Sequence, residues 1–342
     1  MDKKIILFGA GKIGKSCLDA FGSDAVYAFC DNFSAGSELN GKKVISFDEL
    51  KRIFSDYDVI LSVGSSNMVE LERQLYTAGI PYSIYKRQLC KRQIELGEYH
   101  KIEDEGIFTD KFIEYVKNRK PRVFANIGAA SGGYASIAAH FMGEDAEIHV
   151  FEPVPEFVKT LHDFFDGDNR IHIIDKAVSN CNGTMELFAT VKQNSNNIAH
   201  SFTMDKQQTM FNAEYTDECQ TLTHTVETIV LDDFFDKTDV DLMLIDIEGA
   251  EVLAIEGMEK LIEKKKTTFF LEVHEPYIQA IRADGMDYIN AVFKKNGYKI
   301  YWCELDENDD YNAERGGVRL VSSDSIRWEH CIVSPCGLEY LL

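Results

Sequence analysis

Two segments typical of buried strands, DLMLIDI and TTFFLEV, end on side chains that can move protons or hold charge. Asp246 and Glu248 close the first segment, and Glu272 and His274 close the second. The carboxyl ends of parallel strands meet at one edge of an α/β sheet, where ligands bind. Histidine titrates near neutral pH, and a carboxylate can orient it or take a proton itself. We therefore predict Asp246 or His274 as the general base. Glu248 is predicted to orient the reacting group of the substrate. Glu272 is predicted to contact the substrate and to fix the imidazole tautomer.

The same side chains have alternative roles. Asp246 and Glu248 could cap the helix that follows, and nearby Glu251 is predicted to be a cap or part of a surface pair. The catalytic set also offers oxygen and nitrogen ligands for a divalent ion. Its spacing does not require a metal, so we predict none.

A glycine turn earlier in the chain predicts a nucleoside pocket. The segment FANIGAASGGY is typical of a strand, a glycine turn and a helix start, and the next strand ends on Glu152. Glycines let the backbone pass close to a ligand, and a carboxylate about 20 residues later can accept both ribose hydroxyls. A dinucleotide turn needs three glycines at other spacings, whereas S-adenosylmethionine has no pyrophosphate to admit. The alternative is a tight turn with an incidental glutamate. The predicted cofactor-binding residues are Asn126, Gly128, Ala129, Gly132, Glu152 and, beside the adenine, Asp175.

Five segments together resemble the FkbM-type S-adenosylmethionine-dependent methyltransferases: FANIGAASGGY, FEPVPE, VETIVLDDF, LIDIEGAE and FLEVHE, within residues 121–300. The resemblance implies an α/β, class I methyltransferase fold, in which a doubly wound, mostly parallel sheet of about seven strands has helices on both faces. It also implies S-adenosylmethionine as cofactor and methylation of a hydroxyl group, often on a sugar. Two positions depart from the family pattern, because Asn126 replaces an aspartate and Leu244 a lysine.

The beginning of the chain carries a different glycine turn. A strand, KIILF, leads into GAGKIG with Gly9, Gly11 and Gly14, and the next strand ends on Asp31. G-x-G-x-x-G between a strand and a helix is the dinucleotide-binding pattern. The segments GAGKIG, FCDN, NGKKVISFDEL and SVGSSN resemble instead the N-terminal domain of sugar-nucleotide acetyltransferases, which implies binding of a UDP-sugar. A ligand-free packing domain is the third alternative, and all three stay open.

The sequence thus predicts two α/β domains joined by helices. Residues 1–85 form the smaller Rossmann-like domain, residues 86–120 a charged helical linker, and residues 121–342 the methyltransferase domain. Residues 192–224 are predicted to form a long polar connection, from which Asn196 and His200 contact a sugar, because long loops in compact domains are usually functional or disordered.

Charge and composition narrow the partners. The 342 residues include 57 acidic and 36 basic side chains, a formal net charge of −21. Nucleic acid requires a basic surface, so it is excluded as a partner. The eight cysteines form no C-x-x-C pair, and neither a long apolar run nor a leader-like segment occurs. We therefore expect no membrane insertion and a cytoplasmic location. The sequence leaves a homo-oligomer open.

The leading hypothesis is an S-adenosylmethionine-dependent O-methyltransferase that modifies a sugar in a glycan, glycolipid or nucleotide-sugar pathway. The first alternative is a non-catalytic nucleotide-sugar binding or scaffolding protein with a decayed methyltransferase domain, which Asn126 and Leu244 keep open. The second alternative is an NAD-dependent oxidoreductase, and it rests only on GAGKIG.

Overall fold

The structure, a computed structural model, describes residues 3–99, 102–103, 107–192, 198–202, 219–304, 319–326 and 330–337. These residues form two compact units, one within Met1–Ile102 and one within Glu103–Lys192 and Ile198–Leu342. The boundary lies inside the segment that the sequence predicts as a helical linker. No helix of the described residues is long and apolar enough to cross a membrane.

The first unit is a sheet with helices on both faces. Its strands are β1 (Lys4–Phe8), β2 (Val26–Cys30), β3 (Glu38–Leu39), β4 (Lys42–Ile45), β5 (Tyr57–Leu61) and β6 (Ser83–Ile84). Its helices are α1 (Lys12–Phe21), α2 (Phe47–Ile53), α3 (Ser65–Thr77) and α4 (Tyr85–Leu96), with a 3₁₀ turn at Phe54–Asp56. The strand order is β3-β4-β2-β1-β5-β6, and all pairs except β3–β4 are parallel.

Strand β1 shows why this unit has two helical layers. Ile6 and Phe8 pack into one apolar cluster, and Leu7 packs into another on the opposite face. Successive side chains of a strand point to opposite faces, so a continuous apolar run is buried on both sides.

The second unit contains an eight-stranded sheet. Its strands are β7 (Val123–Ile127), β8 (Glu147–Phe151), β9 (Ile171–Ile174), β14 (Leu242–Ile245), β15 (Thr268–Glu272), β16 (Lys299–Glu304), β17 (Arg319–Ser323) and β18 (His330–Ser334). Their order is β17-β16-β18-β15-β14-β7-β8-β9. The five neighbouring strands β9, β8, β7, β14 and β15 are parallel to one another. Strand β18 is antiparallel to both of its neighbours, β15 and β16. This is the class I methyltransferase order, and it confirms the predicted fold class. Edge strand β17 adds to the seven strands expected.

Helices cover both faces of this sheet. They are α5 (Ile107–Arg119), α6 (Gly133–Phe141), α7 (Pro155–Phe165), α8 (Leu231–Phe234), α9 (Glu251–Glu256), α10 (Glu259–Glu263), α11 (Glu275–Ile281) and α12 (Gly285–Lys295). The main core lies on the face of Ala125 and Ile127, under α9, α10 and α12. On the opposite face, the ring of Phe124 packs against Phe112 of α5.

A second, four-stranded sheet corrects the prediction of one long connection over residues 192–224. Its strands are β10 (Ala177–Val178), β11 (Gly183–Lys192), β12 (Ile198–Phe202) and β13 (Cys219–Ile229). Strands β12 and β13 both pair antiparallel with β11. The alternation in TLTHTVETI is typical of a strand, and the polar composition of the segment concealed it.

Candidate functional site

The register of the large sheet brings the predicted site residues to one edge. Ile127 of β7 pairs with Phe151 of β8 and with Ile245 of β14, which in turn pairs with Leu271 of β15. The next residue along each strand therefore lies at the same level. Those residues are Gly128, Glu152, Asp246 and Glu272.

Gly128 must be glycine because the turn is enclosed by neighbouring backbone. Its φ is 81°, and a Cβ built there would overlap the carbonyl oxygen of Asp246. The N–H groups of Gly128 and Ala129 donate to the carbonyl of Phe151 at 3.0 and 3.1 Å. The turn is thus held between β8 and β14, and a side chain would push it off the sheet.

Packing explains Gly132, and its predicted contact with the cofactor stays a prediction. Its φ is 87°, and an added Cβ would lie 2.8 Å from Leu161 and 2.9 Å from Phe165, both on α7. Helix α6 begins at the next residue, Gly133. The second glycine of the turn therefore lets α7 pack closely against the start of α6.

Glu152 is a buried carboxylate that closes over the glycine turn. Its Oε2 accepts the N–H of Ala130 at 2.8 Å, and its Oε1 accepts the N–H of Val154 at 2.9 Å. Burial, only partly opposed by these two hydrogen bonds, raises the pKa of Glu152 to about 7. A carboxylate offers about four acceptor positions, so each oxygen can still accept a hydroxyl.

A cleft opens beside this carboxylate, with an empty volume of about 750 Å³ including its mouth. Gly128, Ala130 and Glu152 line it, together with Asp246 and Glu248. Its apolar walls include Phe151, Phe157, Val178, Leu187 and Ile247. One cleft therefore joins the predicted ribose-binding acid to two of the predicted catalytic residues.

The remaining predicted cofactor residues are not among those that line the cleft. Asn126 is 1% exposed, and within the described residues its Oδ1 has no hydrogen-bond partner. Ala129 is buried as well. Asp175 is exposed, and the adjacent Lys176 lines the cleft in its place. The sequence analysis did not assign Lys176 to the site. A basic residue directly after a strand end could have indicated it, because the chain is rich in acidic residues.

Sequence reasoning also missed the apolar walls. Phe157 follows the predicted strand end at Glu152 by one helical turn, and Leu187 belongs to the unpredicted second sheet. Ala130, whose N–H contacts Glu152, has a φ of 44°, which non-glycine residues rarely adopt. The sequence does not indicate that the N–H of Ala130 binds Glu152, because this contact forms only in the folded turn.

His274 lies among three carboxylates. Its Nδ1 is 3.1 Å from Oε1 of Glu251, and its Nε2 is 3.5 Å from Oε2 of Glu248 and 3.5 Å from Oε1 of Glu272. Burial by itself would lower the pKa of His274, but hydrogen bonds to Glu251 and Glu272 and the charges of Glu251 and Glu248 raise it to about 11. The surrounding carboxylates therefore favour the imidazolium form of the ring.

Glu272 is the shared partner of two histidines. Besides His274, its second oxygen lies 3.6 Å from Nε2 of His330 on the antiparallel neighbour β18. Burial would raise the pKa of Glu272, yet these two histidines lower it to about 2. The carboxylate stays ionised and contacts both rings, which agrees with the predicted role of orienting His274.

The predicted catalytic residues are brought together. Asp246, Glu248 and His274 each offer a ligand atom, and these atoms lie within 4.8 Å of one another. That spacing would also suit a divalent cation, so the expected lack of a metal stays a prediction.

The predicted sugar contacts are only partly described. Asn196 lies outside the described residues. His200 belongs to β12, opposite Thr190 of β11. Both contacts with a sugar stay predictions.

The glycine turn of the first unit is explained by internal contacts. A Cβ at Gly14 would overlap the carbonyl oxygen of Gly9, whereas Gly11 faces open space. Asp31 accepts the N–H of Ala10 at 3.2 Å through Oδ2, and two further N–H groups, at residues 33 and 34, through Oδ1. Its Oδ1 is thus fully used, unlike either oxygen of Glu152. A nucleotide site at Gly9, Gly11, Gly14 and Asp31 stays a prediction.

The strand order and the cleft beside Glu152 define a class I, S-adenosylmethionine-dependent methyltransferase. Residues 123–300, just over half of the chain, match the family model described as the methyltransferase FkbM domain. The chain belongs to this family, and its cofactor is S-adenosylmethionine. Residues 1–84 match a different model, described as C2185-like, N-terminal. No curated protein matches the chain significantly.

Solved structures give weaker likenesses. The FkbM methyltransferase from Methylobacillus flagellatus KT is 12% identical with a TM-score of 0.36, over 97% of this chain and 89% of that one. An O-methyltransferase from Bacillus cereus in complex with SAH is 8% identical with a TM-score of 0.36, over 77% and 96%. Aeropyrum pernix fibrillarin with bound S-adenosyl-L-methionine is 11% identical with a TM-score of 0.31, over 64% and 67%. Likenesses this weak say nothing about the substrate.

The residues of the cleft suit the cofactor. The ionised form of Glu152 keeps one acceptor position on each oxygen for the two ribose hydroxyls. Phe157 and Leu187 supply apolar surface for an adenine ring. Asp246 and Glu248 add negative charge to the same cleft, which favours a cationic sulfonium.

Proposed function

We propose that this chain is an O-methyltransferase whose acceptor is a hydroxyl group of a sugar, free or attached to a nucleotide, in the cytoplasm. The observation that supports it most is the shared cleft, which Glu152, Asp246 and Glu248 all line. A donor held by its ribose at Glu152 would direct its methyl group toward carboxylates that can bind and deprotonate a hydroxyl.

S-adenosylmethionine supplies an activated methyl group when bound, so the protein has to align the acceptor, exclude water and remove one proton. Carboxylates face both ring nitrogens of His274, at 3.1 Å from Nδ1 and 3.5 Å from Nε2, which favours hydrogen on both nitrogens over proton uptake by the ring. Asp246 therefore takes the role of general base. Glu248 accepts a hydrogen bond from a second acceptor hydroxyl, and His274 donates one.

The charge of the site supports an uncharged acceptor. Four carboxylates, those of Asp246, Glu248, Glu251 and Glu272, surround the single imidazolium of His274. A phosphate or carboxylate close to the reacting oxygen would be repelled, whereas a sugar hydroxyl would not.

The test is methyl transfer from isotopically labelled S-adenosylmethionine to neutral methyl glycosides, amino sugars and UDP-sugars, with mass spectrometry and NMR to locate the methyl group. We expect an O-methyl sugar and stoichiometric S-adenosylhomocysteine, with Asp246→Asn slowing turnover about 10²- to 10⁴-fold, as for loss of a general base. Glu263→Gln, an exposed carboxylate 54% accessible on α10, is the control.

A methyl group on nitrogen or carbon would overturn the proposed O-methylation. Binding of S-adenosylhomocysteine without turnover on any acceptor would favour the non-catalytic alternative. Binding of NAD but not S-adenosylhomocysteine would contradict both.

A further inference from the structure

Glu251 links the two halves of the site, although it was predicted as a cap or surface residue. The surface prediction is wrong, because the side chain of Glu251 is only 3% exposed. Its Oε1 accepts the N–H groups of Ile247 at 3.3 Å and Gly249 at 3.1 Å. The same oxygen lies 3.1 Å from Nδ1 of His274, which follows the next strand of the sheet. One buried carboxylate thus connects the cleft-lining turn to the imidazole.

The turn that Glu251 holds is strained. Glu248 has a φ of 52°, and the following Gly249 has a φ of 102°. A non-glycine residue in the left-handed region is strained and persists only where its surroundings enforce it. The N–H groups accepted by Glu251 lie on either side of Glu248, so they stabilise the conformation that presents Glu248 to the cleft.

The ring of His274 is held from three elements. Glu251 faces Nδ1 from α9, while Glu248 from the turn and Glu272 from β15 face Nε2. Asp246 lies within 4.8 Å of the ring's ligand nitrogen, and the ring of Tyr277 stacks at 6.1 Å. A nitrogen that faces a carboxylate must carry hydrogen to bond with it. The hydrogen bond at Nδ1 and the two 3.5 Å contacts at Nε2 therefore favour an N–H on both sides of the ring.

We propose that Glu251 is a positioning residue for methyl transfer, which fixes the turn at residues 247–249 and holds His274 as a two-donor imidazolium. Nε2–H of His274 is then the group that donates to the acceptor oxygen, while Asp246 removes the proton. The raised pKa of His274 agrees with this geometry. The inference rests on the proposed function only for the identity of the acceptor, because the state of the ring can be measured without it.

The test is ¹⁵N NMR of the histidine rings at pH 8 in the full chain saturated with S-adenosylhomocysteine. The chain has nine histidines, and His274→Gln identifies the signals of His274. We expect imidazolium shifts in the wild type and shifts of a neutral tautomer in Glu251→Gln, whose amide oxygen still accepts the backbone N–H groups. Glu251→Asp keeps the charge and should restore part of the imidazolium signal. Glu263→Gln should match the wild type.

Neutral shifts for His274 in the wild type at pH 8 would overturn the proposal, and so would an unchanged imidazolium signal in Glu251→Gln. If Glu251→Gln does not fold, the wild-type spectrum and Glu251→Asp still decide it. Affinity for S-adenosylhomocysteine distinguishes a failure of the proposed function from a failure of the proposed role of Glu251. A wild type that does not bind it would refute the proposed function, whereas the His274 spectrum, recorded then without ligand, would still test the role of Glu251.

Discussion

Replacing Glu152 with glutamine should weaken cofactor binding strongly. Each oxygen of Glu152 accepts one backbone N–H and has room for one ribose hydroxyl. Glutamine keeps one oxygen and replaces the other with an NH₂ group, which faces the N–H of Ala130 or Val154 and cannot accept from either. At least one hydrogen bond to a charged acceptor is lost, worth about 1.5–3 kcal/mol. We therefore expect Glu152→Gln to raise the Kd of S-adenosylhomocysteine by about 10- to 150-fold.

The pH dependence of binding gives the same prediction a second readout. Burial raises the pKa of Glu152 to about 7, and ribose hydroxyls donate more strongly to the ionised form, in which both oxygens accept. Affinity should therefore increase as pH rises through 7, level off above it, and fall up to about tenfold per unit below it. In Glu152→Gln this dependence should disappear.

Isothermal titration calorimetry at pH 6, 7 and 8 measures both effects. The control is Glu147→Gln, which changes an exposed carboxylate, 55% accessible, at the other end of β8. A Kd within about twofold of the wild type, with an unchanged pH slope, would refute the assignment of Glu152 to the ribose.

Three further predictions follow from other contacts. Gly128→Ala should lower the thermal midpoint and abolish S-adenosylhomocysteine binding, because its Cβ would overlap the carbonyl of Asp246; retained binding by calorimetry would contradict this. Burial, together with the charge of His172, lowers the pKa of His149 below the ordinary value of about 6.5. The neutral side chain therefore stabilises the fold fully above pH 6.5, and this contribution is lost as the pH falls below 6.5. Denaturant unfolding should show a smaller loss of stability between pH 7 and 5 in His149→Phe than in the wild type. Equal losses in the two proteins would contradict the lowered pKa of His149. Methyl transfer should survive EDTA, because His274 already supplies positive charge among the carboxylates; loss of activity that Mg²⁺ or Mn²⁺ restores would establish a metal site.

The strands at the site could be predicted because the apolar run and the polar residue that ends it are adjacent in the sequence. A run such as DLMLIDI must be buried on both faces, and a polar residue directly after it must lie at the sheet edge. Glu152 was found in the same way, from its offset to the glycine turn. The shared edge of Glu152, Asp246 and Glu272 therefore followed from apolar runs and spacing, whereas the methyltransferase sheet was implied by the family resemblance.

The roles that sequence reasoning missed depend on contacts between distant segments. Glu251 reads as exposed in the polar segment EGAE, and only the packing of His274 beside it shows why it is buried. His274 reads as a base because an isolated histidine titrates near neutral pH, yet carboxylates from three elements raise its pKa. Leu187 was missed because the alternating pattern of the second sheet lies in a polar stretch.

A crystal structure of the chain with S-adenosylhomocysteine tests the assignment of the cleft most directly. It should show both ribose hydroxyls within hydrogen-bonding distance of the two oxygens of Glu152, with the sulfur directed toward Asp246 and Glu248. An adenosyl group bound elsewhere, or a ribose that does not contact Glu152, would contradict the account.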